Sequence, residues 1–267
     1  MISIADKTRG RTSTTKLPLS LAVIATMLVS FPVSAQTQLV LVAPHNSTDT
    51  IIGEVITREA YKRIGIDVEI RKYPGERALR LADSGKVDGE VHRIDGISAK
   101  YKNLIQIKPP INFIEGTAFS RTTKFVVDGW DSLKPYRLGY ILGIKFAENN
   151  TRGMKSTAVS DYTRLFQLLG KDRVDVVIAP RLNGLYQMNK LGIRNVTELK
   201  PAIMRFELFH YLHKKHEDLV PKIAAVFNEM KASGEMTRIR DHVIKVLLDR
   251  ALKGLPPCDD DYACFDQ

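Results

Sequence analysis

Residues 39–94 decide the fold: LVLVAPHNSTDTIIGEVITREAYKRIGIDVEIRKYPGERALRLADSGKVDGEVHRI. Residues 39–43 form a continuous apolar run rich in β-branched side chains, which is typical of a strand buried on both faces. Residues 44–47, PHNS, interrupt this run. Asp49 or Thr50 can then cap a helix whose apolar residues share one face.

The rest of this stretch repeats the alternation of strand and helix. Gly65 ends the first helix, and residues 67–73 alternate as a second strand. Pro74-Gly75 turns the chain into a short helix over 76–83, and residues 87–94 supply a third strand. Strands and helices that alternate at this spacing predict βαβ units and a mostly parallel sheet.

A second module follows the same order. It has strands at 137–142 and 174–179, a helix expected after Gly143, and helices at 161–169 and 183–191. Residues 206–212 again resemble a strand, and amphipathic helices follow from Val220 and over 236–252. We therefore predict two α/β modules, one before about residue 118 and one between about 122 and 200.

The N-terminus has the three parts of a secretory signal peptide. Residues 17–31 are mainly apolar, residues 33–35 read VSA, and the basic residues before them outweigh one acidic residue: Lys7, Arg9, Arg11 and Lys16 against Asp6. A membrane anchor is the alternative, but it needs about 20 clean apolar residues, and this run is shorter. We predict cleavage before Gln36, which leaves a periplasmic protein without stable membrane insertion.

The chain is basic, with a formal charge of +10. Residues 36–267 carry 36 basic and 29 acidic residues, a charge of +7. The cations are spread along the sequence, and export argues against nucleic acid as the partner. A solvated basic surface is the simplest interpretation, with an anionic ligand or an acidic membrane surface as the alternatives.

Cysteine and histidine provide no metal-binding pattern. The cysteines are Cys258 and Cys264, and in an oxidising compartment a close pair is most simply a disulfide. Two cysteines with no histidine nearby supply too few metal ligands. His210 and His213 lie three positions apart on a strand, so they point to opposite faces. We expect no metal and no cofactor.

Three stretches together resemble the family 3 bacterial extracellular solute-binding proteins, which are type II periplasmic binding proteins. The first joins residues 77–79, RAL, to residues 81–89, LADSGKVDG. The second joins WDSLK at 130–134, LGYILG at 138–143 and LLGKDRVDVV at 168–177. The third joins HYLHKKHEDL at 210–219 to MKASGE at 230–235. The resemblance extends over residues 37–245.

This resemblance implies an α/β fold with two lobes, each a mostly parallel sheet flanked by helices, that close on a small solute. Two crossover strands, near 114–120 and 202–205, would join the lobes. Lobe 1 would take residues 36–118 and 205–250, lobe 2 residues 119–204, and the C-terminal tail residues 251–267. Such a protein delivers its solute to a membrane transporter, for example an ABC transporter, or to a sensor. We expect a monomer.

One departure from the family concerns the ligand. Its amino-acid binders usually carry Thr-x-x-Arg after the third strand, and that arginine clamps the ligand carboxylate. Here residues 96–101 read GISAKY, so the clamp is missing. Arg93 or Arg77 could supply a substitute bidentate contact. The predicted solute is therefore a small polar or anionic molecule, amino-acid-like or an organic acid.

Further ligand contacts are predicted where strands end. The loop after the first strand offers three polar residues, the second lobe offers a helix N-terminus, and an aromatic residue could stack on the ligand: His45, Asn46 and Ser47, then Gly143 and Lys145, then Tyr101. The sequence has no catalytic elbow and no Cys with a His partner, so we predict a binding protein. The alternatives are an enzyme on this fold, resembling cyclohexadienyl dehydratases, or a sensor subunit.

Overall fold

Eight strands form one mixed sheet in the computed structural model, which describes residues 38–45, 48–258 and 262–265. The description concerns the unit Gln36–Gln267, and the predicted signal peptide, residues 1–35, lies outside the described residues. The strands are β1 (Gln38–Pro44), β2 (Asp67–Tyr73), β3 (Gly89–Ile94), β4 (Leu104–Ser120), β5 (Leu138–Ile141), β6 (Ser156–Val159), β7 (Val176–Pro180) and β8 (Thr197–His213).

The order of the strands divides the sheet into two halves. It is β2-β1-β3-β8-β4-β7-β5-β6. β1 pairs in parallel with β2 and β3, and β5 pairs in parallel with β6 and β7. The two long strands β4 and β8 are antiparallel to each other, from Leu104 opposite His213 to Ser120 opposite Thr197. They pass through the centre of the sheet and belong to both halves.

Seven α-helices flank the sheet among the described residues: α1 (Thr48–Arg63), α2 (Gly75–Asp83), α3 (Lys145–Asn150), α4 (Tyr162–Gly170), α5 (Arg181–Lys190), α6 (Val220–Ala232) and α7 (Glu235–Leu252). We call β1–β3 with α1, α2, α6 and α7 lobe 1, and β5–β7 with α3–α5 lobe 2. None of the described helices is long and apolar enough to cross a membrane.

Side chains of the parallel strands enter hydrophobic clusters on both faces of the sheet. In β1, Leu41 packs in the cluster that includes Ile52, Phe227 and Leu247, from α1, α6 and α7. Its neighbour Val42 points the other way, into the cluster that holds the α2 residues. In lobe 2, alternate residues of β7 divide between two clusters in the same way. The predicted two-lobed α/β fold is thus observed, with helices on both faces of each half-sheet.

Two parts of the prediction differ from the structure. The expected crossovers, near 114–120 and 202–205, are portions of β4 and β8. These strands are much longer because they pair with each other from end to end, with interruptions at two register shifts. The edge strand β6 was not predicted, since its residues are mostly exposed and show no apolar alternation. The residue boundaries proposed for the lobes stay predictions.

Candidate functional site

A cleft of about 1150 Å³ lies at the edge of the sheet where the parallel strands end. Pro44 of β1 and Lys72 of β2 line it from lobe 1, and Ile141 of β5 and Pro180 of β7 line it from lobe 2. Parallel strands bring their carboxyl ends to one edge, which is where open α/β sheets bind ligands. The volume is close to the upper end of small-molecule sites, which reach roughly 1,000 Å³.

The side chain of Asn183 joins the two lobes beside this cleft. Its Oδ1 accepts a hydrogen bond of 3.1 Å from the Thr48 backbone N–H, and its Nδ2 donates one of 3.1 Å to the hydroxyl of Tyr162. Thr48 begins α1, and the first N–H groups of a helix have no partner within the helix. Burial raises the pKa of Tyr162 to about 12, so its hydroxyl stays protonated at neutral pH. Neutral hydrogen-bonding groups therefore connect the lobes here.

Four charged side chains line the cleft. In lobe 1, Lys72 Nζ lies 3.4 Å from the buried Glu54 carboxylate. In lobe 2, Asp161 accepts a hydrogen bond of 2.9 Å from the Arg164 backbone N–H at the start of α4, which lowers the pKa of Asp161. Lys190 is exposed and makes no ion pair with any residue in the described ranges. Lys190 is therefore the cation best placed to meet an anionic solute.

Two of the predicted loop residues line the cleft. His45 lies there, and its backbone N–H donates to the Tyr73 carbonyl at 3.1 Å. Gly143 also lies there, with a φ of +95° that favours glycine. The Gly143 N–H donates to the Glu148 carboxylate, so this amide already has an anionic partner. Asn46 and Ser47 are outside the described residues.

Arg93 does not line the cleft. Its Nε lies 3.0 Å from the buried Glu90 carboxylate, and its Nη2 donates to the Gly75 carbonyl at 2.9 Å. Burial raises the pKa of Glu90 to about 8, against the opposing effect of the Arg93 charge. Only 18% of the Arg93 side chain is exposed. These contacts hold the guanidinium against lobe 1 itself.

Three other predicted contacts also lie away from the cleft lining. The Arg77 guanidinium carbon lies 5.1 Å from the centre of the Tyr73 ring. Tyr101 is buried in the hydrophobic cluster on the α2 face of lobe 1. The exposed Lys145 forms an ion pair with Glu148 on its own helix. The structure thus places His45 and Gly143 on the cleft lining and the other four residues outside it. As ligand contacts, all of them stay predictions.

The described residues contain no group of three or more His, Cys, Asp or Glu side chains that could hold a metal ion. Cys258 and Cys264 form the disulfide. His210 is buried, and its ring nitrogens lie 2.9 Å from the Tyr61 hydroxyl and 3.1 Å from the Val91 carbonyl. This histidine therefore belongs to the core of lobe 1.

Several cleft residues were not predicted as contacts: Lys72, Tyr162, Asn183, Lys190 and Pro257. Lys72 and Asn183 lie within three residues of the end of a predicted strand, so the same criterion that selected His45 could also have selected them. Tyr162 follows β6, a strand that the sequence does not indicate. Lys190 ends α5, and Pro257 follows the end of α7. No local pattern in the sequence indicates either position.

The sheet order and the cleft define the fold of the type II periplasmic binding proteins, as the sequence motifs predicted. Known structures share it. The L-cystine solute receptor of Neisseria gonorrhoeae in its unliganded open conformation matches with a TM-score of 0.61 at 13% identity, over 79% of this chain and 94% of that one. A histidine kinase sensor domain similar to periplasmic binding proteins matches with a TM-score of 0.58 at 15% identity, over 77% and 96%.

Further matches add a ligand-bound structure and a sequence relative. An ancestral arginine-binding protein bound to arginine has a TM-score of 0.57 at 16% identity, over 76% of this chain and 96% of that one. An uncharacterised protein of Shewanella oneidensis is 28% identical over 209 residues, which are 74% of this chain and 78% of that protein. No family model matches the chain. The structural likenesses establish the fold.

Proposed function

We propose that this protein is an exported, periplasmic solute-binding protein that holds a small polar or anionic solute between its two lobes. The observation that carries the proposal is the cleft of about 1150 Å³ at the strand ends of both lobes. The bound solute would contact both lobes and favour their closed arrangement, which a membrane transporter then recognises. The predicted signal peptide supplies the route to the periplasm.

The polarity of the cleft supports a solute that forms many hydrogen bonds. Asn183, Tyr162 and Gln187 offer neutral donors and acceptors from lobe 2, and Thr48 and Thr50 offer them from lobe 1. Lys190 adds a positive charge with no counter-ion among the described residues. An anionic group on the solute would complement that charge.

A sensor subunit is the second candidate, because the fold also occurs in a histidine kinase sensor domain. That role uses the same cleft and the same closure, with a membrane kinase as the partner. A cleft carboxylate without a basic partner would favour the enzyme alternative. Among the described cleft residues, Glu54 has Lys72 and Asp161 has Arg164 as basic neighbours, so the geometry favours binding.

A thermal-shift screen of the mature chain tests the binding proposal. The panel contains L-amino acids, mono- and dicarboxylates, and amines, each at millimolar concentration. A solute at about 100 times its Kd stabilises the folded state by about 2.7 kcal/mol. For a domain of this size, that corresponds to a rise in melting temperature of roughly 5–10 °C. If no solute raises the melting temperature, the proposal is refuted.

A matched pair of lysine variants locates the binding. Lys190→Ala removes the exposed cation of the cleft, and Lys171→Ala removes another exposed lysine of lobe 2 that lies outside the cleft. Calorimetry with an anionic solute from the screen should show a Kd about three- to tenfold weaker for Lys190→Ala, since a hydrogen bond to a charged group contributes about 1 kcal/mol or more. Lys171→Ala should bind like the wild type. Equal affinities in all three proteins would place the solute elsewhere.

A further inference from the structure

The C-terminal segment, which we define as residues 255–258 and 262–265, packs on lobe 1. Cys258 and Phe265 are only 5% and 6% exposed, and both lie in the hydrophobic cluster that includes α1, α6 and α7. The disulfide between Cys258 and Cys264 links the two described parts. Pro257 lines the cleft. The segment is therefore an integral part of lobe 1 that reaches the cleft.

Tyr262 connects this segment to the cleft wall. Its ring packs under the Arg58 guanidinium, whose carbon lies 4.1 Å from the ring centre. Its hydroxyl donates a hydrogen bond of 2.7 Å to Glu54 Oε2. Lys72 Nζ lies 3.4 Å from the same oxygen. A continuous series of contacts thus runs from Tyr262 through Glu54 to Lys72, and both Glu54 and Lys72 line the cleft.

The buried charge of Glu54 explains its contacts with Tyr262 and Lys72. The Glu54 side chain is fully buried, and a buried carboxylate needs hydrogen-bond donors and a nearby cation. Burial and the Glu54 charge both raise the pKa of Tyr262, so its hydroxyl keeps its proton and donates. A lysine ammonium on a four-carbon stem is mobile unless a fixed acceptor holds it. Glu54 is such an acceptor, and Tyr262 fixes it.

We propose that the C-terminal segment is a third structural part of the solute cleft, and that Tyr262 is a positioning residue. It holds Glu54, and Glu54 holds the Lys72 ammonium at the wall of the cleft, where it contacts an anionic group of the solute. The contact with solute rests on the proposed function, whereas the positioning of Lys72 does not.

Acetylation of lysines with a pulse of acetic anhydride, read by mass spectrometry, tests the positioning. Tyr262→Phe keeps the ring over Arg58 and removes only the hydroxyl. Lys72 should then be acetylated at least threefold faster than in the wild type, while the rate at Lys190 stays unchanged. Tyr136→Phe, at a ring stacked on Phe125, is the matched control and should change neither rate. An unchanged rate at Lys72 in folded Tyr262→Phe refutes the proposal.

Two further arms separate this inference from the proposed function. The double variant Cys258→Ser, Cys264→Ser should also raise the acetylation rate of Lys72, and if it does not fold, Tyr262→Phe alone decides.

Each panel solute that raises the melting temperature of the wild type is then added at saturation. An anionic solute should slow the acetylation of Lys72 at least threefold. A panel with no binding solute refutes the proposed function and leaves the positioning result standing. Binding without protection of Lys72 refutes the proposed contact.

Discussion

Asp49 provides the sharpest test of the electrostatics between the lobes. It lies in the first turn of α1 and is only 2% exposed. Burial raises its pKa to about 7; Glu115 of β4 acts in the same direction, and Arg240 of α7 and Arg181 of α5 oppose it. The ionised carboxylate is therefore less stable in the folded protein than in the unfolded chain. The variant Asp49→Asn carries a neutral amide of similar shape.

The magnitude follows from the difference between the two states. An unfolded aspartate has a pKa of about 3.9, so the folded state binds the proton more tightly by about three pKa units, or about 4 kcal/mol. This contribution to the free energy of unfolding is fully present below about pH 4 and is lost as the pH rises through about 7. The amide of Asp49→Asn does not ionise, so this variant loses no stability as the pH rises. The free energy of unfolding of Asp49→Asn, relative to that of the wild type, should therefore increase with pH.

Melting temperatures from pH 4.5 to 8.5 measure this advantage. The melting temperature of Asp49→Asn minus that of the wild type should rise across the range by roughly 10 °C, since 1 kcal/mol corresponds to about 2–4 °C in a domain of this size. Other buried titrating groups, such as Glu90 and His92, are present in both proteins, so their effects cancel in the difference between the two melting temperatures. Asp67→Asn, at an exposed carboxylate, is the matched control for the loss of one acidic side chain. A flat difference for Asp49→Asn would refute the reasoning.

Further predictions concern packing and buried hydrogen bonds. A Cβ on Gly184 would lie 2.5 Å from the Phe119 ring, so Gly184→Ala should lower the free energy of unfolding by about 1–3 kcal/mol in denaturant titrations. Gly170→Ala, where a Cβ meets nothing within 4 Å, should be neutral or stabilising by up to about 1 kcal/mol; a larger loss there than at Gly184 would contradict the packing. Tyr61→Phe removes the hydroxyl 2.9 Å from buried His210 and should cost about 1–3 kcal/mol, measured in the same way; an unchanged midpoint would show that this hydrogen bond contributes nothing.

The alternating elements of the fold were predictable because local patterns determine them. The apolar runs of β1 and β7 are buried on both faces of the sheet, and such strands show the pattern most clearly. The full length of β4 was not predictable. It contains Pro109 and Pro110, and prolines within a strand pattern normally indicate a break. Its extent depends on pairing with β8, about 90 residues further along the chain, and no local pattern reports that pairing.

The sequence could predict only those cleft residues that lie directly after a predicted strand. His45 and Gly143 line the cleft for that reason. The position of Arg93 depends on a buried carboxylate three residues earlier, Glu90, and alternation along a strand does not indicate that pairing. Pro257 reaches the cleft from the C-terminal segment. Contacts of this kind depend on tertiary packing, which the spacing of residues along the chain does not encode.

Lobe closure measured by double electron–electron resonance tests the central claim most directly. Spin labels at Lys62→Cys, at the end of α1 in lobe 1, and Lys171→Cys, after α4 in lobe 2, are both on exposed positions. With the solute that stabilises the mature chain most, the distance distribution should shift at saturation to a new, narrower maximum. The solute concentration that gives half of the shift should be higher in Lys190→Ala than in the control Lys171→Ala. Because residue 171 is alanine in that control, its lobe 2 label is placed at Lys155→Cys. A saturating solute that leaves the distribution unchanged would contradict binding between the lobes.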